Sequence, residues 1–176
     1  MNAFSECCNV EAAGMDDLVQ FLEKQSDSGR FVLTSKGALS KQLQKQVGDA
    51  MLNRQGSIFG VEFKVESENK HGNFFLETWS NLPRRTPGWM VNLNTDVLLY
   101  YFLAEKVLFS IPFQRLCQWA FGSGRDAKNE GKIYQYKELR QSKYRQLSVT
   151  YGRCVPISVI EEEVGFNCYK LGAVDE

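Results

Sequence analysis

Three features of this 176-residue sequence predict a mixed α/β fold, a single domain over 1–176 with a central mixed β-sheet flanked by helices. Short apolar strand-like runs cluster between residues 49 and 111. Segments with helical spacing stand before and after them. No internal repeat, domain linker or long low-complexity stretch divides the chain.

The elements follow in order. Met15, Leu18, Val19 and Leu22 recur at helical spacing behind Asp16 and Asp17, which predicts a helix over 15–25. A short apolar piece, FVLT, comes next. Leu39, Leu43 and Val47 repeat every four residues and predict a second helix, whose other face, SKQLQKQ, is polar and which Gly48 ends. DAMLNR and IFGVEFKVE then form a strand pair about the turn Gln55-Gly56-Ser57. The loop SENKHG leads to a third strand, NFFLETW, and NLPRRTPG is a proline- and arginine-rich loop. LLYYFLA and VLFSI are strong strands separated by Glu105-Lys106. Ser110 and Pro112 match the N-cap and first-turn positions of a helix with Phe113, Leu116, Cys117, Ala120 and Phe121 on its buried stripe. GSGRDAKNEG reads as a loop, followed by an amphipathic segment and a strand-like CVPISVI.

Composition narrows the functional classes. Hydrophobic content of 43% and charge of 24% are ordinary for a globular protein, and no apolar run is long enough to cross a bilayer. The first residues, MNAFSECCNVEAAGMDD, lack the basic and apolar regions of a signal peptide, so a cytoplasmic location is expected. The five cysteines, Cys7, Cys8, Cys117, Cys154 and Cys168, are odd in number and lack CxxC spacing, which argues against a disulfide framework and against a zinc site. A single histidine, His71, in a polar loop, counts against hydrolytic mechanisms that need two or more. No G-x-x-x-x-G-K-[ST] loop is present. Net charge is zero but uneven. Residues 125–145 hold seven bases and three acids interleaved with Tyr134, Tyr136 and Tyr144, between acidic termini. That pattern fits a local nucleic-acid footprint, with Lys132, Lys137 and Arg140 as candidate contacts, and equally fits a solvated surface.

The chemically informative stretch is FGVEFKVE. Strand alternation sends Val61, Phe63 and Val65 to one face and Glu62, Lys64 and Glu66 to the other. Glu62 and Lys64 are thus neighbours on one face, roughly 7 Å apart along the strand. Asp49 heads the preceding strand, so a hairpin would fold it back beside Glu62. Two converging carboxylates offer oxygen ligands to Mg²⁺, and an adjacent lysine can orient or deprotonate a bound water. The tripeptide alone is weak: E-x-K also occurs at Glu68-Asn69-Lys70 and Glu130-Gly131-Lys132, both in polar, turn-like surroundings. What distinguishes Glu62-Phe63-Lys64 is its apolar strand and the aspartate upstream.

The order helix, Asp49-strand, turn, strand with Glu62-x-Lys64 resembles the catalytic core of the PD-(D/E)XK, or restriction-endonuclease-like, nucleases. GNFFLETWSN, PGWM, NTDVLLYYF and VLFSI resemble the corresponding stretches of small bacterial and phage members, so the likeness spans about 35–121. The resemblance implies a restriction-endonuclease-like fold and a deoxyribonuclease that hydrolyses phosphodiester bonds through a metal-activated water, with Mg²⁺ or Mn²⁺ as cofactor. It implies Asp49 and Glu62 as metal ligands, the Phe63 backbone carbonyl as a third, and Lys64 acting on the water. Two departures stand out. Gly48 occupies the place of the motif's proline, and no Asp or Glu lies between Asp27 and Asp49 to supply the usual helix acid. Gln42, Gln46 or, from the next strand, Glu77 would have to fill that role.

Arg84 and Arg85 follow the third strand and are candidate phosphate contacts. Trp79 and Trp89 bracket their loop as core anchors or stacking platforms. DNA is the expected partner, and cutting both strands of a duplex would call for a homodimer. The alternatives are a nuclease-fold protein without catalysis that binds nucleic acid or a protein, or an unrelated α/β interaction module. Whatever the function, Glu62 and Lys64 also fit an exposed pair on a solvated sheet face, Glu77 fits a partner for a nearby base such as Lys64, and Asp96, after Thr95 and ahead of an apolar run, reads as a turn residue.

Overall fold

The computed structural model describes residues 3–34, 40–125, 131–143 and 148–172, so Leu39, Lys128, Tyr144 and Arg145 lie outside the described residues. The elements are α1 (Ala3–Gln25), β1 (Phe31–Leu33), α2 (Ser40–Val47), β2 (Ala50–Arg54), β3 (Ser57–Glu66), β4 (Asn73–Asn81), β5 (Thr86–Pro87) and α3 (Trp89–Asn92). They continue with β6 (Val97–Phe102), β7 (Val107–Pro112), α4 (Phe113–Phe121), β8 (Lys137–Lys143), β9 (Ser148–Pro156), α5 (Ile157–Glu163) and β10 (Asn167–Lys170). Single 3-10 turns occupy Asp27–Gly29 and Lys132–Gln135. No described helix is long and apolar enough to cross a membrane.

The architecture is mixed α/β. A central six-stranded sheet has the order β1-β2-β3-β6-β7-β10, and a four-stranded sheet has the order β5-β4-β9-β8. β2 and β3 form an antiparallel hairpin in which Ala50 faces Val61. β3 runs parallel to β6, with Glu62 beside Leu98 and Lys64 beside Tyr100. This parallel step makes the central sheet mixed, because the other neighbours in it are antiparallel.

Each face of the central sheet carries its own core. On one side Val61, Phe63, Leu99 and Tyr101 pack with Leu18, Phe21 and Leu22 of α1. Tyr101 also donates to Asp17 at 2.5 Å, and Lys106 does so at 2.6 Å, which ties α1 to the sheet at its polar edge. On the other side Leu98, Tyr100 and Phe102 meet Phe74 and Leu76 of β4, Trp89 and Met90 of α3, and the buried stripe of α4. Phe74 is the centre of an aromatic cluster, with ring centroids 4.8 Å from Tyr100 and 5.2 Å from Phe109.

Several expectations need correction. NFFLETW, read as a third strand, leaves the central sheet altogether and pairs with β9 and β5. The strand begins at Ala50, and Asp49 sits in the bend before it. Ser110 stays in β7, paired with Leu99 and Asn167, so the helix starts at Phe113 behind Pro112 rather than at a serine cap. The segment read as amphipathic contains a 3-10 turn and β8, and CVPISVI is strand only to Pro156. From Ile157 the chain turns helical, and the Ile157 N–H donates to the Gly72 carbonyl at 2.9 Å. Proline's fixed φ suits the step from strand to helix start.

Phe74→Ala is expected to destabilise the protein by about 3–5 kcal/mol, because it empties the centre of the larger core. Urea denaturation measures this, and a loss below about 1 kcal/mol would place that core elsewhere.

Candidate active site

β3 is shielded on both faces, so its alternation places Glu62 and Lys64 on the side of the larger core while Val61 and Phe63 face α1. Glu62 is 5% exposed, an uncommon place for a carboxyl group. Lys64 Nζ lies 2.5 Å from Glu62 Oε1. Beside them is Asp49, whose carboxylate acts electrostatically on the Glu62 carboxyl group. Asp49 Oδ2 accepts the Phe63 N–H at 2.9 Å, and Gln44 Nε2 donates to Asp49 Oδ1 at 3.4 Å.

Local backbone chemistry explains how Asp49 reaches this place. Gly48 closes α2 with φ +88°, a value proline cannot adopt because its ring holds φ near −65°. A Cβ at Gly48 would also lie 2.5 Å from the Val61 carbonyl oxygen. The glycine in place of the motif's proline is therefore required by this geometry. Thr34 secures the bend from the other side: its hydroxyl donates to the Gly48 carbonyl at 2.7 Å and its N–H to the Asp49 carbonyl at 2.9 Å. With the bend fixed, the Asp49 side chain takes the Phe63 N–H just beyond the β2–β3 ladder.

The electrostatics follow from burial. Desolvation, opposed by Lys64 and reinforced by Asp49, leaves the Glu62 carboxyl pushed up to about 7. Burial acts to lower the Lys64 ammonium, but Glu62, Asp49 and Glu77 outweigh it and hold Lys64 above its ordinary value. Lys64 is therefore a cation at neutral pH, beside two carboxyl groups of which one readily keeps a proton.

This donor set suits a hard divalent cation that retains several waters. Asp49 and Glu62 converge, and a cation can replace the proton that Glu62 otherwise holds. Of Phe63, the third expected ligand, it is the N–H that is placed against Asp49. Among the described residues no group of three or more His, Cys, Asp or Glu converges as a metal cage. Glu77 is thus not gathered into such a cage, and its influence is felt at Lys64.

The other expected residues are dispersed. Arg84 and Arg85 are exposed in the turn after β4, and Lys137 is exposed on β8. Lys132 is ion-paired with Glu163, and Arg140 pairs with Glu138 at 2.7 Å while lying over the Tyr151 ring. Asp96 accepts the Gly60 N–H at 2.7 Å, a structural turn contact, and His71 is exposed. Two neighbours of the site were not anticipated in their roles. Gln44 reaches Asp49 from α2, a residue that nothing in the sequence singled out. Trp89, buried against Phe113, presents its ring to Lys64 Nζ at 5.4 Å.

No protein-family model matches the chain, and no curated protein or solved structure matches it significantly.

Because the folded-state pKa of Glu62 lies above its ordinary value of 4.5, protonated Glu62 contributes stability that is full below 4.5 and lost as pH rises through about 7. In chelator-containing buffer, wild type should lose on the order of 1–3 kcal/mol more than Glu62→Gln between about pH 5 and 8. Urea denaturation at both pH values reads this directly, and parallel pH profiles would contradict the burial argument.

Proposed function

We propose that this protein is a divalent-metal-dependent deoxyribonuclease of the restriction-endonuclease-like type, acting in the cytoplasm on DNA phosphodiester bonds. The observation that carries the reading is the convergence of Asp49 and Glu62 beside a charged Lys64. Asp49 and Glu62, with the Phe63 carbonyl, would hold Mg²⁺ or Mn²⁺. The bound cation supplies charge to the scissile phosphate and lowers the pKa of a water. The residues of the chain supply position and proton handling. Gln44 and the Phe63 N–H fix the Asp49 carboxylate, and Glu62 exchanges its proton for the cation. Lys64 orients the attacking water with its ammonium hydrogens. Arg84 and Arg85 offer phosphate contacts, and Lys137 extends the basic surface along β8. Cleavage of both strands at one place would draw on two copies of the chain.

One observation supports a second reading, that the fold binds nucleic acid or a protein without cutting. Among the described residues only two carboxylates come together at the site, where the motif's relatives commonly add a helix acid, and Gln44 stands at the helix position.

Purified protein should cleave plasmid, linear, single-stranded or branched DNA when Mg²⁺ or Mn²⁺ is added, and not in chelator. Glu62→Ala and Lys64→Ala should each lower the rate by about 100-fold or more. Binding of DNA without metal-dependent cleavage by wild type would favour the second reading, and undiminished cleavage by both variants would refute the assigned roles.

A further inference from the structure

Lys64 is held by more than Glu62. Its Nζ lies over the Trp89 ring at 5.4 Å from the centroid. After Glu62 and Asp49, Glu77 is the third carboxylate that acts on it electrostatically, and the weakest. These two residues reach it from different elements, Glu77 from β4 and Trp89 from the start of α3. Their approach is built into the backbone. The Gly88 N–H donates to the Thr78 carbonyl at 2.8 Å, drawing the turn onto β4. A Cβ at Gly88 would stand 2.6 Å from the Glu77 carbonyl oxygen and 2.8 Å from Glu77 Cγ, so only glycine permits this contact. β4 is in turn fixed against the central sheet, because the Phe75 N–H donates to the Tyr100 hydroxyl at 3.0 Å and that hydroxyl donates to Glu66.

The arrangement matters because Glu62 cannot serve Lys64 and a cation equally. When Glu62 turns to a divalent cation, the Lys64 ammonium loses its nearest anion and faces a like charge in a half-buried place. It then needs a second anion and a surface that stabilises a cation without hydrogen bonds. A carboxylate and an indole face meet those needs.

We propose that Glu77 and Trp89 form a second berth for the Lys64 ammonium, which Lys64 occupies when Glu62 engages the cation; the berth rests on the nuclease reading above. Both are positioning residues, acting through Lys64. Glu77 is thereby assigned to the lysine and not to the metal. Glu62 releases the ammonium, Glu77 receives it, and the Trp89 face limits its movement so that its hydrogens stay aimed at the site.

The test uses full-length protein with isotopically labelled lysine, and Lys64→Met identifies the Lys64 signal. The Trp89 ring current should shift the Lys64 Hε protons upfield, and this shift should persist on Mg²⁺ addition in wild type. In Glu77→Gln, Mg²⁺ should bind as in wild type, but the Lys64 signal should move toward that of solvent-exposed lysines. In DNA cleavage, Glu77→Gln should lower kcat by about tenfold with KM unchanged. Trp89→Phe should recover most of what Trp89→Leu loses. If wild-type Lys64 moves to the exposed-lysine position on Mg²⁺ addition, or if Glu77→Gln matches wild type in both signal and kcat, the berth is wrong. Failure of wild type to bind Mg²⁺ would overturn the nuclease reading and the berth with it, whereas Mg²⁺ binding with an unaffected Glu77→Gln variant would overturn the berth alone.

Discussion

Burial of Glu62 within a shielded strand costs solvation that its ion pair with Lys64 offsets only in part, since Asp49 stands against the same carboxyl group. A sequence selected only for stability has little reason to keep three ionisable groups there, because apolar residues of similar size would pack at least as well. Much of the surrounding structure serves to maintain this arrangement. Gly48 takes a left-handed conformation, Thr34 bonds the bend, the Phe63 N–H is given to the Asp49 side chain, and Gln44 is held beside it. Each of these contacts would be dispensable if Asp49 merely ended a helix.

The topology places this cost where the fold can bear it. β3 lies inside the six-stranded sheet, with the β2 hairpin on one side and β6 in parallel on the other. Val61 and Phe63 contribute apolar burial to the α1 side, while the residues between them are directed toward the second sheet and α3. A single strand thus supplies core on one face and an ionisable pair on the other. The link through Glu66, Tyr100 and Phe75 then registers the second sheet against the face that carries Glu62 and Lys64.

What could be read from the sequence follows from how local each signal is. Alternation in IFGVEFKVE gave the separation of Glu62 and Lys64 from Val61 and Phe63, and the hairpin at Gln55-Gly56 brought Asp49 back toward Glu62. The buried stripe of α4 was visible for the same reason, though not its start, since Ser110 is retained by ladder pairing with Leu99 and Asn167. Partner choice was not legible. Nothing within NFFLETW says that it pairs with β9, far along the chain, and not with its neighbour β3. The same applies to Trp89, whose size announced a core residue but not the lysine above it. The glycine at 48 looked like a departure from a motif until its positive φ gave a reason for it.

For Asp49 and Glu62 the decisive property is whether the two carboxylates act as one cation site. Titrating Mn²⁺ into metal-free protein near neutral pH, with free Mn²⁺ followed by electron paramagnetic resonance, tests that most directly. One bound Mn²⁺ per chain is predicted for wild type, with affinity reduced by about tenfold or more in both Asp49→Asn and Glu62→Gln. No binding by wild type, or equal binding by both variants, would contradict the account.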